Sequence, residues 1–357
     1  MGKRIDLVDI AKGISIILVA FSHTELKNLL PDVNHSTMLV RMPLFFFLSG
    51  VFFSMSSKPA TFILHKTDAL LKPYYVTLFL LLLTTILFGS SQMVWHEIKG
   101  IVYGSGETIR WRPLWFLTHL WSLFVVTYLV FFYTKLPTKS NFIKISFVIL
   151  LFVVGSFSVD MFYHKPISIF GNTIELPGLP FSMDIILLSM AFFVSGSFLS
   201  QKVKKFKPKS GILLITIFIF IAIYNNTEAS INFFERNYPE PIFATLAAFL
   251  GIYIVLALSY YMSKSKFITT ILTTFGAASL FILIFHSFIS IKTYIIFSNL
   301  SDSILLSAIL SFLASIIIPL FIKQLIQKSE FLMLFYFPFK SNNLFQRLRN
   351  KYGSTKL

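Results

Sequence analysis

Lys12 and His23 stand eleven residues apart in an otherwise almost wholly apolar run, Asp9-Ile-Ala-Lys12-Gly-Ile-Ser-Ile-Ile-Leu-Val-Ala-Phe-Ser-His23. On an α-helix that spacing is about 20° past three full turns, with about 16 Å of rise. The spacing therefore predicts a cation and an imidazole on one face of a lipid-embedded helix. Ionisable groups inside a bilayer are expensive and mark function. A second histidine, His286, is expected near the middle of another apolar span, Ser279-Leu-Phe-Ile-Leu-Ile-Phe-His286. Two intramembrane imidazoles on separate helices can converge in a bundle interior, and neutral imidazole near pH 7 suits general-base work. Against this stand two plainer readings, a satisfied core histidine and a zinc ligand. Two histidines with no evident third ligand are too few for zinc, and no metal is expected.

Other residues suit binding. Arg4, Lys12, Lys66 and Lys72 are expected near one face of the membrane, where they would grip the phosphates of a nucleotide-like donor or serve only as topology signals. Arg41, ahead of Met42-Pro43, sits at the opposite boundary, placed to snorkel or to bind a polar ligand. The segment Arg110-Trp-Arg112-Pro-Leu-Trp115-Phe-Leu-Thr-His119 offers two guanidiniums for a polar acceptor. Its tryptophans would stack on sugars or anchor the helix at the interface. Ser49-Gly50 reads as a place of close helix contact.

The elements that must hold these residues are membrane helices. The chain is 55% hydrophobic and 13% charged, with 43 Phe, far more apolar than a soluble domain requires. Stretches near 8–24, 42–57, 73–90, 114–134, 143–160, 181–199, 212–225, 241–262, 276–298 and 304–323 approach the length that crosses about 30 Å of hydrocarbon. The expected fold is an all-α polytopic integral membrane protein with about ten transmembrane helices. One membrane domain over 1–325 and a basic tail over 326–357 are expected. With both termini in the cytoplasm, most of the 31 Lys and Arg fall inside and most of the 15 Asp and Glu outside, as the positive-inside rule asks. The net charge of +16 is thereby read as topology and contact with anionic membrane lipids, not as nucleic-acid binding. Residues 58–72 read as an inner amphipathic segment stopped by Pro73, and 91–113, 160–180 and 226–240 as outer loops. The apolar stretch 329–339 is too short to span and is expected at the inner surface. The chain has no Cys, which excludes disulfides and a thiolate nucleophile. Acidic residues in the first helix, and no small-residue cleavage site after it, argue against a cleavable signal.

Taken together these stretches resemble the integral-membrane acyltransferase 3 family, in particular its fucose 4-O-acetylase-like branch. The resemblance is carried by Asp9-Ile-Ala-Lys12-Gly13 through His23, by Met42-Pro-Leu-Phe-Phe-Phe-Leu-Ser-Gly50, by Leu70-Leu-Lys-Pro73-Tyr74, and by Trp115-Phe-Leu117 followed by Gly276-Ala-Ala-Ser279-Leu through His286. Three positions depart from the pattern. Lys12 stands where the family usually has Arg, Arg41 where it often has His, and the paired arginines ahead of the third helix are missing.

The resemblance implies a membrane O-acyltransferase of the bacterial cytoplasmic membrane. It would move an acetyl group from cytoplasmic acetyl-CoA, a co-substrate, to a hydroxyl of a cell-surface or lipid-linked glycan, with a polyprenyl carrier as one form of acceptor. His23 and His286 would be catalytic, Lys12, Lys66, Lys72 and Arg4 would hold the donor, and Arg41, Arg110, Arg112, Trp115 and His119 the acceptor. Direct transfer and a transient acyl-histidine both fit. The alternative of another class is a glycan exporter without chemistry, which would need polar residues along a continuous path. The intramembrane polar groups instead gather near two histidines.

Overall fold

The computed structural model describes residues 6–169 and 172–339. In chain order its helices begin with α1 (Asp6–Phe21), the single turn α2 (Leu26–Leu29) and α3 (Pro31–Val51). Next come α4 (Pro59–Lys66), α5 (Lys72–Phe88), α6 (Ser91–Tyr103), α7 (Trp115–Thr134) and α8 (Asn141–Ser158). A hairpin of β1 (Tyr163–Ile169) and β2 (Asn172–Pro177) follows. The chain then forms α9 (Ile186–Lys204), α10 (Ser210–Asn226), α11 (Pro241–Met262), α12 (Lys266–Ala277), α13 (Ser279–Leu300), α14 (Ile304–Lys328) and α15 (Glu330–Tyr336). The fold is all-α, with one antiparallel hairpin among the described residues. Seven helical segments among them are long and apolar enough to cross a membrane. The protein is a multi-pass membrane protein.

Four expectations are corrected here. The second helix covers Pro31–Val51 rather than 42–57, because Pro31 opens it and the chain leaves helical geometry after Val51. Proline at a first turn costs no hydrogen bond, and Pro43 is carried within the helix. Residues 59–88 form one continuous helical run, joined through a π-helical turn at Thr67–Leu71, so Pro73 does not stop it. The helix expected at 276–298 begins only at Ser279, because the chain breaks at Ala278 and Gly276 and Ala277 close α12 instead. The stretches expected as outer loops are also less irregular than expected, since 91–113 contains α6 and 160–180 contains the hairpin.

The chain divides into two compact units, each assembled from separated stretches. The first takes the described residues up to Phe53, Ser140–Asp160 and Leu187–Phe321. Here α1 is the hub, packed by α3, α11, α12 and α13. Glycines set its closest approach. A Cβ on Gly13 would strike the Leu272 carbonyl of α12, and one on Gly276 would strike the Asp9 carbonyl of α1. Small residues let helix backbones meet where lipid offers no hydrophobic drive for association. A reciprocal pair joins α3 to α9, Gly50 against the Phe193 carbonyl and Gly196 against that of Phe47.

The second unit takes Ser54–Lys139, Met161–Ile186 and the described residues from Ile322. α7 lies in its interior, with Tyr128 Oη donating to the Ser57 carbonyl at 2.6 Å. α5 and α6 form a helical hairpin pinned by Tyr74 Oη on the Ile101 carbonyl, 2.8 Å. The short α15 packs on α5, with Lys72 Nζ donating to the Phe337 carbonyl at 2.6 Å.

Candidate active site

α1 ends two residues before His23, and the reason is local. Ser22 and Thr24 turn their hydroxyls back onto the carbonyls of Val19 and Phe21, each at 2.8 Å. These are end-of-helix carbonyls that otherwise lack partners. His23 therefore stands in the turn after the helix, its N–H on the Ala20 carbonyl at 3.0 Å, and not within the helix that its spacing from Lys12 assumes. Both flanking hydroxyl residues are buried, whereas His23 is exposed. The turn thus fastens its two neighbours inward and leaves the imidazole open.

His286 faces that ring. The two imidazole centroids are 4.8 Å apart, with the planes at 72°. Gly13 and Gly276 lie at the contact of α1 and α12, and each histidine follows its own glycine by the same interval in sequence. His286 is wholly buried. Its Nδ1 lies 2.8 Å from the Ile282 carbonyl and 3.0 Å from that of Leu283. Carbonyls only accept, so Nδ1 carries the hydrogen, and in the neutral ring Nε2 is left as the lone-pair nitrogen. That atom is buried with no hydrogen-bond partner. An imidazole with one nitrogen tied down and the other waiting is a fixed acceptor beside an accessible second imidazole.

The cations nearest in effect to His23 are Arg41 and Lys27. Arg41 Nη1 bonds Asn34 Oδ1 at 3.2 Å, two helical turns back along α3, and Glu235 of the loop before α11 is its acidic neighbour. That loop is ordered by Asn232, whose Oδ1 accepts from the N–H groups of Phe234 and Glu235, and it seats Phe233 edge-on against Phe46 at 5.3 Å. Lys12 is half-buried in α1, its Nζ 6.0 Å from the Phe52 ring centre.

Residues 5–325 match the family described as an acyltransferase domain, acyltransferase 3. The chain belongs to the acyltransferase 3 family. Searches of curated proteins and of solved structures match nothing. This is a membrane acyltransferase, and the match gives no footing to the exporter alternative.

The remaining predicted site residues of this acyltransferase lie in the second unit, apart from Arg4, which is outside the described residues. Lys66 sits over the Phe124 ring at 3.4 Å. Lys72 is paired with Asp68 at 2.5 Å and also holds the Phe337 carbonyl. Trp115 and His119 are buried in α7, their rings 5.8 Å apart. Arg110 and Arg112 line an open polar hollow. Among the described residues no group of three or more His, Asp or Glu is placed to hold a metal. Sequence reasoning missed Lys27, Asn34 and Glu235. Asn34 had a signal, the seven-residue spacing to Arg41 that returns to one helix face. Lys27 and Glu235 had none, since their nearness depends on how a turn and a loop fold.

Proposed function

We propose that this acyltransferase O-acetylates a hydroxyl of a cell-surface or lipid-linked glycan with acetyl-CoA as donor, in the bacterial cytoplasmic membrane, as a member of the fucose 4-O-acetylase-like branch. The observation that carries the reading is the histidine pair: one imidazole open to a reagent, the other buried behind it with its tautomer fixed. His23 takes the proton of the acceptor hydroxyl as its oxygen attacks the thioester carbonyl. The tetrahedral oxyanion forms near the guanidinium of Arg41 and the ammonium of Lys27, charges suited to stabilising it. Collapse breaks the C–S bond, and the His23 imidazolium returns its proton to the departing thiolate. Transfer is direct, with no acyl-protein intermediate. His286 steadies the His23 ring by packing edge-to-face against it.

Lys12, on the inner turns of α1, is the cation best placed for the donor's phosphates. Lys66 and Lys72 already have partners, and engaging the donor would require them to give these up. The proposed topology is ten crossings with both termini and the basic stretch 326–357 in the cytoplasm. Arg41 faces the acceptor side. The test is acetyl transfer by purified protein in lipid nanodiscs with radiolabelled acetyl-CoA. His23→Gln keeps size and hydrogen bonding but takes no proton, so it is expected to abolish transfer while the protein stays inserted and thermally stable. Near-normal transfer by that variant rejects the reading.

A further inference from the structure

The α5–α6 hairpin of the second unit carries two hollows of opposite character. One, of about 360 Å³, is lined by Phe79 and Leu82 of α5 and by Ile98 and Val102 of α6. The other, of about 1000 Å³, begins a single turn further along α5 at Thr84 and Thr85. It takes in Gln92 and Glu97 of α6, and Arg110 and Arg112 from the segment that follows. Each helix passes from the apolar hollow to the polar one within a few residues, Leu82 to Thr84 on α5 and Ile98 to Glu97 on α6. At the polar end Leu87 and Phe88 are 73% and 87% exposed, so the mouth opens on a surface suited to hydrocarbon.

The polar lining alternates donors and acceptors. Arg110 Nη1 lies 3.6 Å from Glu97 Oε1, and 3.4 Å and 3.3 Å from the hydroxyls of Thr84 and Thr85. Glu97 Oε2 is buried with no hydrogen-bond partner, an acceptor waiting for a donor. Glu107, on the same wall, accepts from Tyr163 Oη and meets His164 Nε2 at 2.8 Å. Two guanidiniums against two carboxylates leave little net field, so a polyanion such as CoA gains nothing here. A ligand whose every hydroxyl both donates and accepts matches this lining.

We propose that this hairpin binds a glycolipid, with an uncharged polyhydroxyl head in the polar hollow, one hydroxyl donating to Glu97 Oε2, and a hydrocarbon tail along Phe79, Leu82, Ile98 and Val102. Its role as the acceptor's resting place relies on the function proposed above; the binding itself does not.

The test is photolabelling of the full chain in nanodiscs with a dodecyl maltoside carrying a tail diazirine, compared with the same tail on a phosphocholine head. The maltoside probe is expected to label peptides of 75–82 and 98–102 at least tenfold more than the phosphocholine probe. Glu97→Gln is expected to lower that labelling tenfold or more, as loss of a charged acceptor predicts, and Val102→Trp to block it by filling the tail groove. Should Glu97→Gln fold poorly, Gln92→Ala supplies the same contrast from a second lining residue of α6. Equal labelling by the two probes, or maltoside labelling unmoved in folded Glu97→Gln or Gln92→Ala protein, overturns the proposal. His23→Gln should leave labelling intact. Failed labelling with acetyl transfer intact therefore sinks only the glycolipid site, and labelling with transfer unmoved by His23→Gln sinks only the catalytic reading.

Discussion

The histidine corner of the first unit and the polar hollow of the second solve opposite problems. At the corner, polar groups are few and one of the buried ones is left unfinished, the Nε2 of His286. At the hollow they are many and largely satisfied by one another, Arg110 by Glu97 and two threonines, Glu107 by Tyr163 and His164. A buried polar atom without a partner costs on the order of 1–3 kcal/mol, so a fold retains one where it has a task. A mutually paired set of charges costs little and can exchange its internal bonds for a ligand's. Each site keeps one unmet acceptor, Nε2 of His286 at the corner and Oε2 of Glu97 in the hollow, and they differ in surroundings: the first stands among few polar groups, the second within a set of donors and acceptors already paired with one another.

Four substitutions probe this contrast, in falling order of expected effect. His23→Gln should lower the rate of acetyl transfer by roughly 10²–10⁴, the usual worth of a general base, with the donor affinity unchanged. His286→Gln should cost less, about tenfold to hundredfold on the same scale, because it disturbs the orientation of the base rather than removing it. The pattern is read from kcat at saturating acetyl-CoA; equal losses for the two would mean that the pair acts as one unit. Gly13→Leu should lower stability by about 1–3 kcal/mol or more through overpacking against Leu272, measured as a fall in Tm in nanodiscs, and should weaken transfer by moving α1 relative to α12. Lys72→Ala should leave acetyl-CoA affinity nearly unmoved and lower Tm by a few degrees, since that side chain serves Asp68 and Phe337. A tenfold loss of affinity from Lys72→Ala would instead make it a donor residue.

What the sequence discloses is what periodicity and lipid can dictate. Long apolar stretches must become helices because a bilayer satisfies no exposed backbone group, so the helical, multi-pass character was legible throughout. The acyltransferase family was legible from Lys12 through His23 and the later stretch ending in His286. The meeting of those two histidines was only half legible. Their residue types point to it, but the turn that exposes His23 depends on Ser22 and Thr24 capping carbonyls, a short-range competition that helical periodicity does not register. The break at Ala278 was hidden for a related reason: Gly276, Ala277 and Ala278 read as ordinary small residues of a span, and the close approach of Gly276 to Asp9 of α1 is set by the fold and not by periodicity. Pro73 misled, because a proline in the first turn of a helix is compatible with a run that continues behind it.

The π-helical turn at Thr67–Leu71 has a consequence for the angular phase of everything after it. Such a turn accommodates one residue more than an α-turn over the same stretch of axis. Every side chain from Lys72 onward is accordingly rotated by about 100° from where an uninterrupted α-helix would put it. Forcing this turn into α geometry with all its residues kept would swing Tyr74 off the Ile101 carbonyl, and Thr84 and Thr85 away from Arg110. Deleting one residue within it would instead let the run 59–88 close into a plain α-helix with every later side chain nearly where it was. The surplus residue works as an angular offset, felt some 20 Å away by about 1.5 Å of rise per residue.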